Sequence, residues 1–177
     1  MEVIEAIHTR RAVRSYLPTP VAPELIEQVI WDAAQAPPPV SGQTPWTFVV
    51  VEGLERIVAF GDEAKRYARD NHPDGPGWGW AERPDFKVFW DAPTLIIICG
   101  RSEDCARAGT NLMLSAHARG LGTCWVGAAM LWLATAKARS DLGIPPGREP
   151  AAVLCLGYPA ATPTAQARAR PEIIWSN

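Results

Sequence analysis

The run from Thr94 to Cys99 constrains the fold more than any other segment, because every residue after the first is apolar. A strand with one face in water alternates apolar and polar side chains, whereas a strand covered on both faces is apolar throughout. We therefore expect a central strand here. Its sheet should carry helices on both faces.

Helical and strand patterns alternate along the rest of the chain. The first expected helix ends near residue 10, the others span 23–35, 54–69, 105–119 and 131–142, and the remaining strands span 46–51, 122–126 and 151–157. Apolar residues recur at helical spacing in the expected helices and run continuously in the expected strands. Because no repeat or linker interrupts the pattern, residues 1–177 are expected to form a single α+β domain.

Charge and hydropathy exclude several classes of function. The chain has 17 basic and 19 acidic residues, and its formal net charge of −2 gives no field that would attract nucleic acid. No apolar run approaches the roughly 20 residues that cross a bilayer. The first residues lack the basic-then-apolar layout of a signal peptide. We expect a cytoplasmic protein without nucleic acid or membrane partners.

The four cysteines and three histidines show no metal-ligand spacing, so no metal site is expected. Cys99, Cys124 and Cys155 lie in apolar, strand-like runs, where cysteine usually serves as a small buried side chain. Cys105 opens a predicted helix, a position that can lower a thiol pKa, so a catalytic thiol is an alternative there. No histidine lies nearby in sequence to support it, and for His117 we expect a packed or surface role.

Three arginines, Arg10, Arg11 and Arg14, follow the first expected helix in a chain that is slightly acidic overall. Guanidinium groups present paired donors that match the oxygens of phosphate or carboxylate. The cluster is therefore a candidate anion site. The alternative is that these arginines stay solvated and complement the dipole at the end of the helix.

No side-chain motif for catalysis stands out. The chain contains no strand–GxGxxG–helix, GxxxxGK[ST], GxSxG or HExxH pattern. An enzyme with few candidate catalytic side chains often leaves the chemistry to a cofactor. Residues 71–92, rich in Pro, Gly and aromatic residues, are expected to form a lid or pocket wall, or else a surface excursion pinned by aromatic packing. Trp78, Trp80 and Phe89 are candidates for stacking against a ligand or for the core.

Several short motifs occur in an order that resembles the nitroreductase family of FMN-dependent oxidoreductases. In chain order they are Arg10–Tyr16, Ala36–Val50, Asp91–Pro93, Asn111–Ala116, Gly120–Gly127, Leu156–Pro159 and an Arg-x-Arg-Pro stretch that includes Arg168 and Arg170. Each motif alone is weak. Their order and spacing carry the resemblance, which covers about residues 2–174.

The resemblance implies a nitroreductase-like three-layer sandwich with a mixed central sheet flanked by helices. It further implies an interlocked homodimer that binds FMN at the subunit interface. Four groups of residues would contact the flavin. They are Arg10, Arg11, Ala12 and Arg14 along its phosphate, ribityl and pyrimidine side; Arg168 and Arg170 at the phosphate; Pro38, Pro39, Val40 and Ser41 from the partner subunit; and the main chain of Val126 and Gly127 near N5.

The activity implied by the resemblance is ping-pong hydride transfer from NADH or NADPH, through FMN N5, to an electron-poor acceptor such as a nitroaromatic compound or a quinone. No side chain need be catalytic. The chain departs from the family pattern at Ala12, where a serine is usual, and in the Pro-rich loop, where Gly42 and Thr44 replace the usual Asn and Gln. These departures keep open a flavin-consuming or dehalogenating activity, a non-catalytic FMN-binding module, and a cofactor-free structural role.

Overall fold

The computed structural model describes residues 1–40, 44–72, 77–161, 163–164 and 167–176. Six α-helices and four strands are present in these residues, with one short 3-10 helix between them. The elements are α1 Val3–Thr9, α2 Pro23–Ala33, β1 Thr47–Glu52, α3 Leu54–Asn71, the 3-10 helix Gly79–Glu82, β2 Thr94–Cys99, α4 Ser102–Ala118, β3 Gly122–Trp125, α5 Met130–Leu133, α6 Ala136–Asp141 and β4 Pro150–Gly157.

The four strands form one sheet in the order β1-β2-β4-β3, and every neighbouring pair runs antiparallel. An isolated parallel bridge, outside these strands, joins Ala12 to Thr123 on the outer edge of β3, while the four strands themselves are antiparallel. The interior position of β2 confirms the expectation from the Thr94–Cys99 run, since all six of its residues are buried.

Helices cover both faces of this sheet, and β2 divides its side chains between them. Leu95 and Ile97 face a core completed by α3, α5 and α6, whereas Ile96 and Ile98 face a second core completed by α2 and α4. Successive side chains of a strand point to opposite faces. The apolar run therefore serves two cores at once, as a three-layer sandwich requires.

The predicted helix over 131–142 is wrong. The segment forms two short helices, α5 and α6, separated at Ala134 and Thr135. Thr135 adopts an extended conformation, and its hydroxyl accepts a hydrogen bond of 3.2 Å from the amide of Ala138, which is an N-cap. The other helices differ only at their ends: α4 begins at Ser102, before Cys105, and α2 ends at Ala33.

Several large apolar side chains remain exposed, and two groups of them lie on α1 and in the tail. Val3, Ile4 and Ile7 project from α1, and the tail carries Ile174 and Trp175, each 84% exposed. Groups of exposed apolar side chains are typical of interaction sites. Within the described residues, no helix combines the length and the apolar character that a membrane span needs.

Candidate functional site

An extended segment after α1 lies along the outer edge of β3 and carries the arginines. The amide of Val13 donates to the carbonyl oxygen of Thr123 at 2.9 Å, and Tyr16 forms an antiparallel bridge with Pro159. Val13 is buried. Because side chains alternate along an extended backbone, this anchoring sets the positions of Ala12 and Arg14 on the opposite side. The segment thus covers the sheet edge and fixes the arginines beside it.

The arginines of this segment line a cavity of about 390 Å³ together with four residues from the C-terminal tail. Its lining residues are Arg10, Arg11, Ala12, Arg14, Pro163, Thr164, Ala167 and Arg168. A neighbouring cavity of about 280 Å³ shares Arg10 and Arg11 and adds Thr9 and His117. Each volume is near the lower end of the range for small-molecule sites. The structure therefore brings Arg168 to the arginine cluster, and its role at a phosphate stays a prediction.

The cluster carries uncompensated positive charge. Burial lowers the pKa of Arg10, and the nearby Arg168 and Arg11 lower it further. Within the described residues, none of the four arginines forms an ion pair with an acidic side chain. Arg11 donates instead to the main-chain oxygens of His8 and Arg10, both at 2.8 Å. Like charges gathered in a cavity repel one another, and a bound anion would remove that repulsion.

His117 extends the cluster, although the sequence predicts a packed or surface role for it. It lies in the last turn of α4, and its Nε2 is 2.8 Å from Oγ1 of Thr9. Thr9 gives its own hydroxyl proton to the carbonyl oxygen of Glu5 at 2.7 Å, so the imidazole N–H is the donor. Burial lowers the pKa of His117, and Arg10 and Arg11 lower it further. A histidine 108 residues from Thr9 gives no local signal of this contact.

Comparison with known proteins assigns most of the chain to one family, the one that the sequence motifs resemble. The family model described as "Nitroreductase family" matches residues 7–158, which include the segment with Arg10, Arg11 and Arg14. The chain belongs to the nitroreductase family. Members of this family are oxidoreductases, so the protein is an enzyme of that general class.

One relative and two solved structures illustrate the likeness. One relative is a protein of Methanothermobacter thermautotrophicus that is named as a provisional NADH dehydrogenase/NAD(P)H nitroreductase. It is 34% identical to this chain over 173 residues, which cover 92% of this chain and 80% of the relative's length. A nitroreductase of Bacteroides fragilis with bound FMN superimposes with a TM-score of 0.87 at 22% identity, with all of both chains covered. An iodotyrosine deiodinase bound to FMN and 3-iodo-L-tyrosine gives a TM-score of 0.80 at 18% identity, covering 99% of this chain and all of that one. The two structures establish the nitroreductase fold.

The Pro-rich loop that the family likeness assigns to the flavin lies away from the arginines of the same chain. Arg107 near the start of α4 donates from Nε to the carbonyl oxygen of Pro37 at 3.2 Å, whereas His117, beside the arginines, lies near the end of α4. Ten residues of helix span about 15 Å. Pro38, Pro39 and Val40 are exposed, and Ser41 lies outside the described residues. A role for this loop at a second subunit's flavin therefore stays a prediction.

Val126 and Gly127 directly follow β3, and the structure distinguishes between their amide groups. The amide of Val126 already donates to the carbonyl oxygen of Val153 at 2.9 Å, so it is committed to the sheet. The amide of Gly127 has no main-chain acceptor in the described part of the chain. Gly127 is exposed, and a Cβ built there would meet nothing within 4 Å. Of the two predicted residues, only Gly127 retains a donor for a ligand.

Arg170 is exposed and is absent from the lining of the cavity that includes Arg168, so its phosphate role stays a prediction.

The alternative of a low-pKa thiol at Cys105 is wrong, because burial raises the pKa of this thiol to about 11. All four cysteines are free and buried. Among the described residues, no three His, Cys, Asp or Glu side chains converge as a metal site would require.

Residues 73–76 of the segment over 71–92 lie outside the described residues, and residues 77–92 pack against the domain through their aromatic side chains. Phe89 is buried in the core of the α3 face, so packing is the correct alternative for it. Trp78 and Trp80 are half-buried, with their ring centroids 5.7 Å apart. Trp90 and Asp91 have φ values of 56° and 53°, and the left-handed region is unfavourable for residues with bulky side chains. Two such residues in sequence cost about 1–3 kcal/mol each, and strain of this kind concentrates at functional sites.

Proposed function

We propose that this protein is an FMN-dependent oxidoreductase that transfers electrons from NADH or NADPH to a small, electron-poor acceptor such as a nitroaromatic compound or a quinone. When bound, FMN supplies the redox chemistry by taking up a hydride at N5 and passing the electrons on. The observation that carries the proposal is the cavity where Arg10, Arg11 and Arg168 meet without an acidic partner in the described residues. The names of the curated relatives support a nicotinamide donor.

The arginines divide between two roles in this proposal. Arg10, Arg11 and Arg168 would hold the phosphate through charge-assisted hydrogen bonds, and Arg170 would join them there. Arg14 would lie at the pyrimidine edge, where positive charge stabilises the reduced, anionic cofactor. Ala12 supplies no side-chain hydrogen bond, so the main chain and the arginines must carry the affinity.

The main chain completes the cofactor site. The free amide of Gly127 is the donor we assign to the N5 region, since the amide of Val126 is taken by Val153. No side chain is required as an acid or base. The protein would orient the two substrates, exclude water and set the stability of the reduced cofactor.

We further propose that the protein acts as a homodimer in the cytoplasm. Exposed apolar residues on α1 and in the tail support a second copy of the chain as partner. The Pro-rich loop near Pro37 is too far from the arginines of its own protomer to join their site, whereas it could reach a neighbour's. Four free cysteines fit a reducing compartment.

The deciding experiment is the visible spectrum of the purified protein, reconstituted with FMN, before and after NADPH or NADH is added without oxygen. Bleaching of the flavin band confirms both the cofactor and the reductive half-reaction. Return of the band on adding a nitroaromatic acceptor confirms the second half-reaction. Protein that takes up no FMN contradicts the proposal, and FMN without bleaching by either nucleotide indicates a non-catalytic module. Loss of intact flavin during turnover in air indicates the flavin-consuming alternative.

A further inference from the structure

A continuous column of aromatic rings runs from the end of α3 to the arginine segment. It begins at His72 and continues through Trp78, Trp80, Phe86 and Trp90. Successive ring centroids are 4.7, 5.7, 5.2 and 5.2 Å apart. These separations lie in the range of favourable aromatic pairs, so each ring restrains the next.

The column ends under Arg14. The guanidinium carbon of Arg14 lies 5.6 Å from the centroid of the Trp90 ring, within the distance at which a cation is attracted to an indole face. Burial raises the pKa of the Cys124 thiol on β3, and Arg14 and Trp90 oppose the rise. Arg14 therefore has defined neighbours, although no acidic side chain in the described residues pairs with it.

Two side chains form hydrogen bonds to the backbone that precedes Trp90. The buried Nζ of Lys65 donates to the carbonyl oxygens of Arg83 and Phe86, the latter at 3.2 Å. The thiol of Cys155 donates to the carbonyl oxygen of Phe89 at 3.2 Å. These contacts fix the segment before and after Phe86. They hold Trp90 in the left-handed conformation that turns its ring toward Arg14.

We propose that Trp90 is a positioning residue that fixes the guanidinium of Arg14 at the cofactor cavity. The aromatic column and the strained backbone keep the indole in place, and the indole face limits the rotamers of an otherwise exposed arginine. This inference rests on the proposed function, because it assigns Arg14 to the pyrimidine side of FMN. Its consequence is that Trp90 affects the reduced cofactor more than the oxidised one.

The experiment compares three variants with the unaltered protein. Trp90→Leu removes the ring but keeps apolar bulk, Trp90→Phe keeps an aromatic face, and Trp78→Leu disrupts the far end of the column as a control. In the apoprotein, the Nε–H signal of Arg14, assigned by its loss in Arg14→Lys, should be displaced by the ring current of Trp90. Trp90→Leu should abolish the displacement, and Trp90→Phe should retain part of it. An undisplaced signal in the unaltered protein overturns the inference.

The second readout is the ratio of the dissociation constants for reduced and oxidised FMN, obtained from the midpoint potentials of bound and free flavin. Trp90→Leu should raise this ratio about fivefold, in line with a lost cation–π contact. Trp90→Phe should keep the ratio close to that of the unaltered protein. Trp78→Leu should change it much less than Trp90→Leu does, because the ring of Trp78 reaches Trp90 only through Trp80 and Phe86. Equal effects of Trp90→Leu and Trp78→Leu indicate a structural role only and overturn the inference.

A double substitution tests whether Trp90 acts through Arg14. In an Arg14→Ala background, Trp90→Leu should no longer change the ratio, since the group that it positions is already gone. Full additivity of the two substitutions overturns the inference. Unaltered protein that binds no FMN contradicts the proposed function. FMN binding with no displacement of the Arg14 signal contradicts the positioning role alone.

Discussion

Gly122 and Val13 approach so closely that a Cβ atom on Gly122 would lie 2.5 Å from Cγ2 of Val13. Val13 is β-branched and fixed by the hydrogen bond from its amide to Thr123, so it cannot yield without moving the arginine segment. Gly122, the first residue of β3, therefore determines how closely Arg10, Arg11 and Arg14 lie against the sheet.

Gly122→Ala should lower the free energy of unfolding by about 1–3 kcal/mol, as overpacking does. It should also weaken FMN binding, because the arginine segment shifts outward. Gly127→Ala is the matched control for stability, since a Cβ there meets open space. Chemical denaturation and FMN titration of both variants check this. Unchanged stability and affinity in Gly122→Ala would contradict the packing described.

Gly127→Ala makes a separate prediction about the cofactor. If the amide of Gly127 donates near N5, a methyl group beside it crowds the flavin while the apoprotein stays stable. We expect weaker FMN binding with an unaltered melting temperature. FMN affinity equal to that of the unaltered protein would remove Gly127 from the site.

Arg10→Ala and Arg168→Ala should each weaken FMN binding about tenfold or more, the usual effect of losing a hydrogen bond to a charged group. Without FMN neither variant should be less stable, because each substitution relieves repulsion between like charges. Arg101→Ala is the control, since Arg101 is exposed and makes only a 3.8 Å contact with Glu103. Isothermal titration and thermal melts separate the two effects. A loss of stability without a loss of FMN affinity would contradict the prediction and indicate a structural role for the cluster.

The stability of the apoprotein should depend on pH through His117. Its pKa is lowered in the folded protein, so below about pH 6.5 the unfolded chain binds the proton more readily. The free energy of unfolding should therefore fall as the pH is lowered through this region, and recover as the pH rises. His117→Asn should remove that part of the slope. Bound FMN should reduce it too, because the phosphate offsets Arg10 and Arg11. Denaturation midpoints measured from pH 5 to 8 decide this, and identical slopes in both proteins would contradict it.

The tail should hold two protomers together. Replacing Ile174 and Trp175 by serine should convert the proposed dimer into a monomer, with little change in the unfolding of each protomer, since both side chains are exposed in the single chain. Leu54→Ser is the control, because Leu54 is also partly exposed but lies on α3. Light scattering after gel filtration gives the mass directly. An unaltered protein that elutes as a monomer contradicts the dimer itself.

Local patterns in the sequence predicted the fold well where one interaction dominates. The continuous apolar run gives β2 its observed bounds of Thr94–Cys99, and Pro23 begins α2 as predicted. The helix expected over 131–142 failed because Thr135 competes for the backbone as an N-cap, and the apolar pattern does not register that competition. Expectations for residues 41–43 lie outside the described structure.

The candidate site was predictable only in part. The arginine run was visible as a local excess of charge, and the family resemblance joined Arg168 to it. His117 and Trp90 escaped detection, because their partners Thr9 and Arg14 are far away in the sequence. The resemblance also treated Val126 and Gly127 alike, whereas the hydrogen bond to Val153 leaves only the amide of Gly127 available.

The class of fold, the order of most elements and the family could be predicted from the sequence, because they depend on apolar periodicity and on motifs in chain order. Which charges meet, which of the two amides after β3 has no main-chain acceptor in the described residues, and which ring lies under Arg14 follow only from the folded structure. Those properties depend on distances between segments brought together by packing. A strained tryptophan beneath an arginine is a consequence of folding that no local pattern of residues encodes.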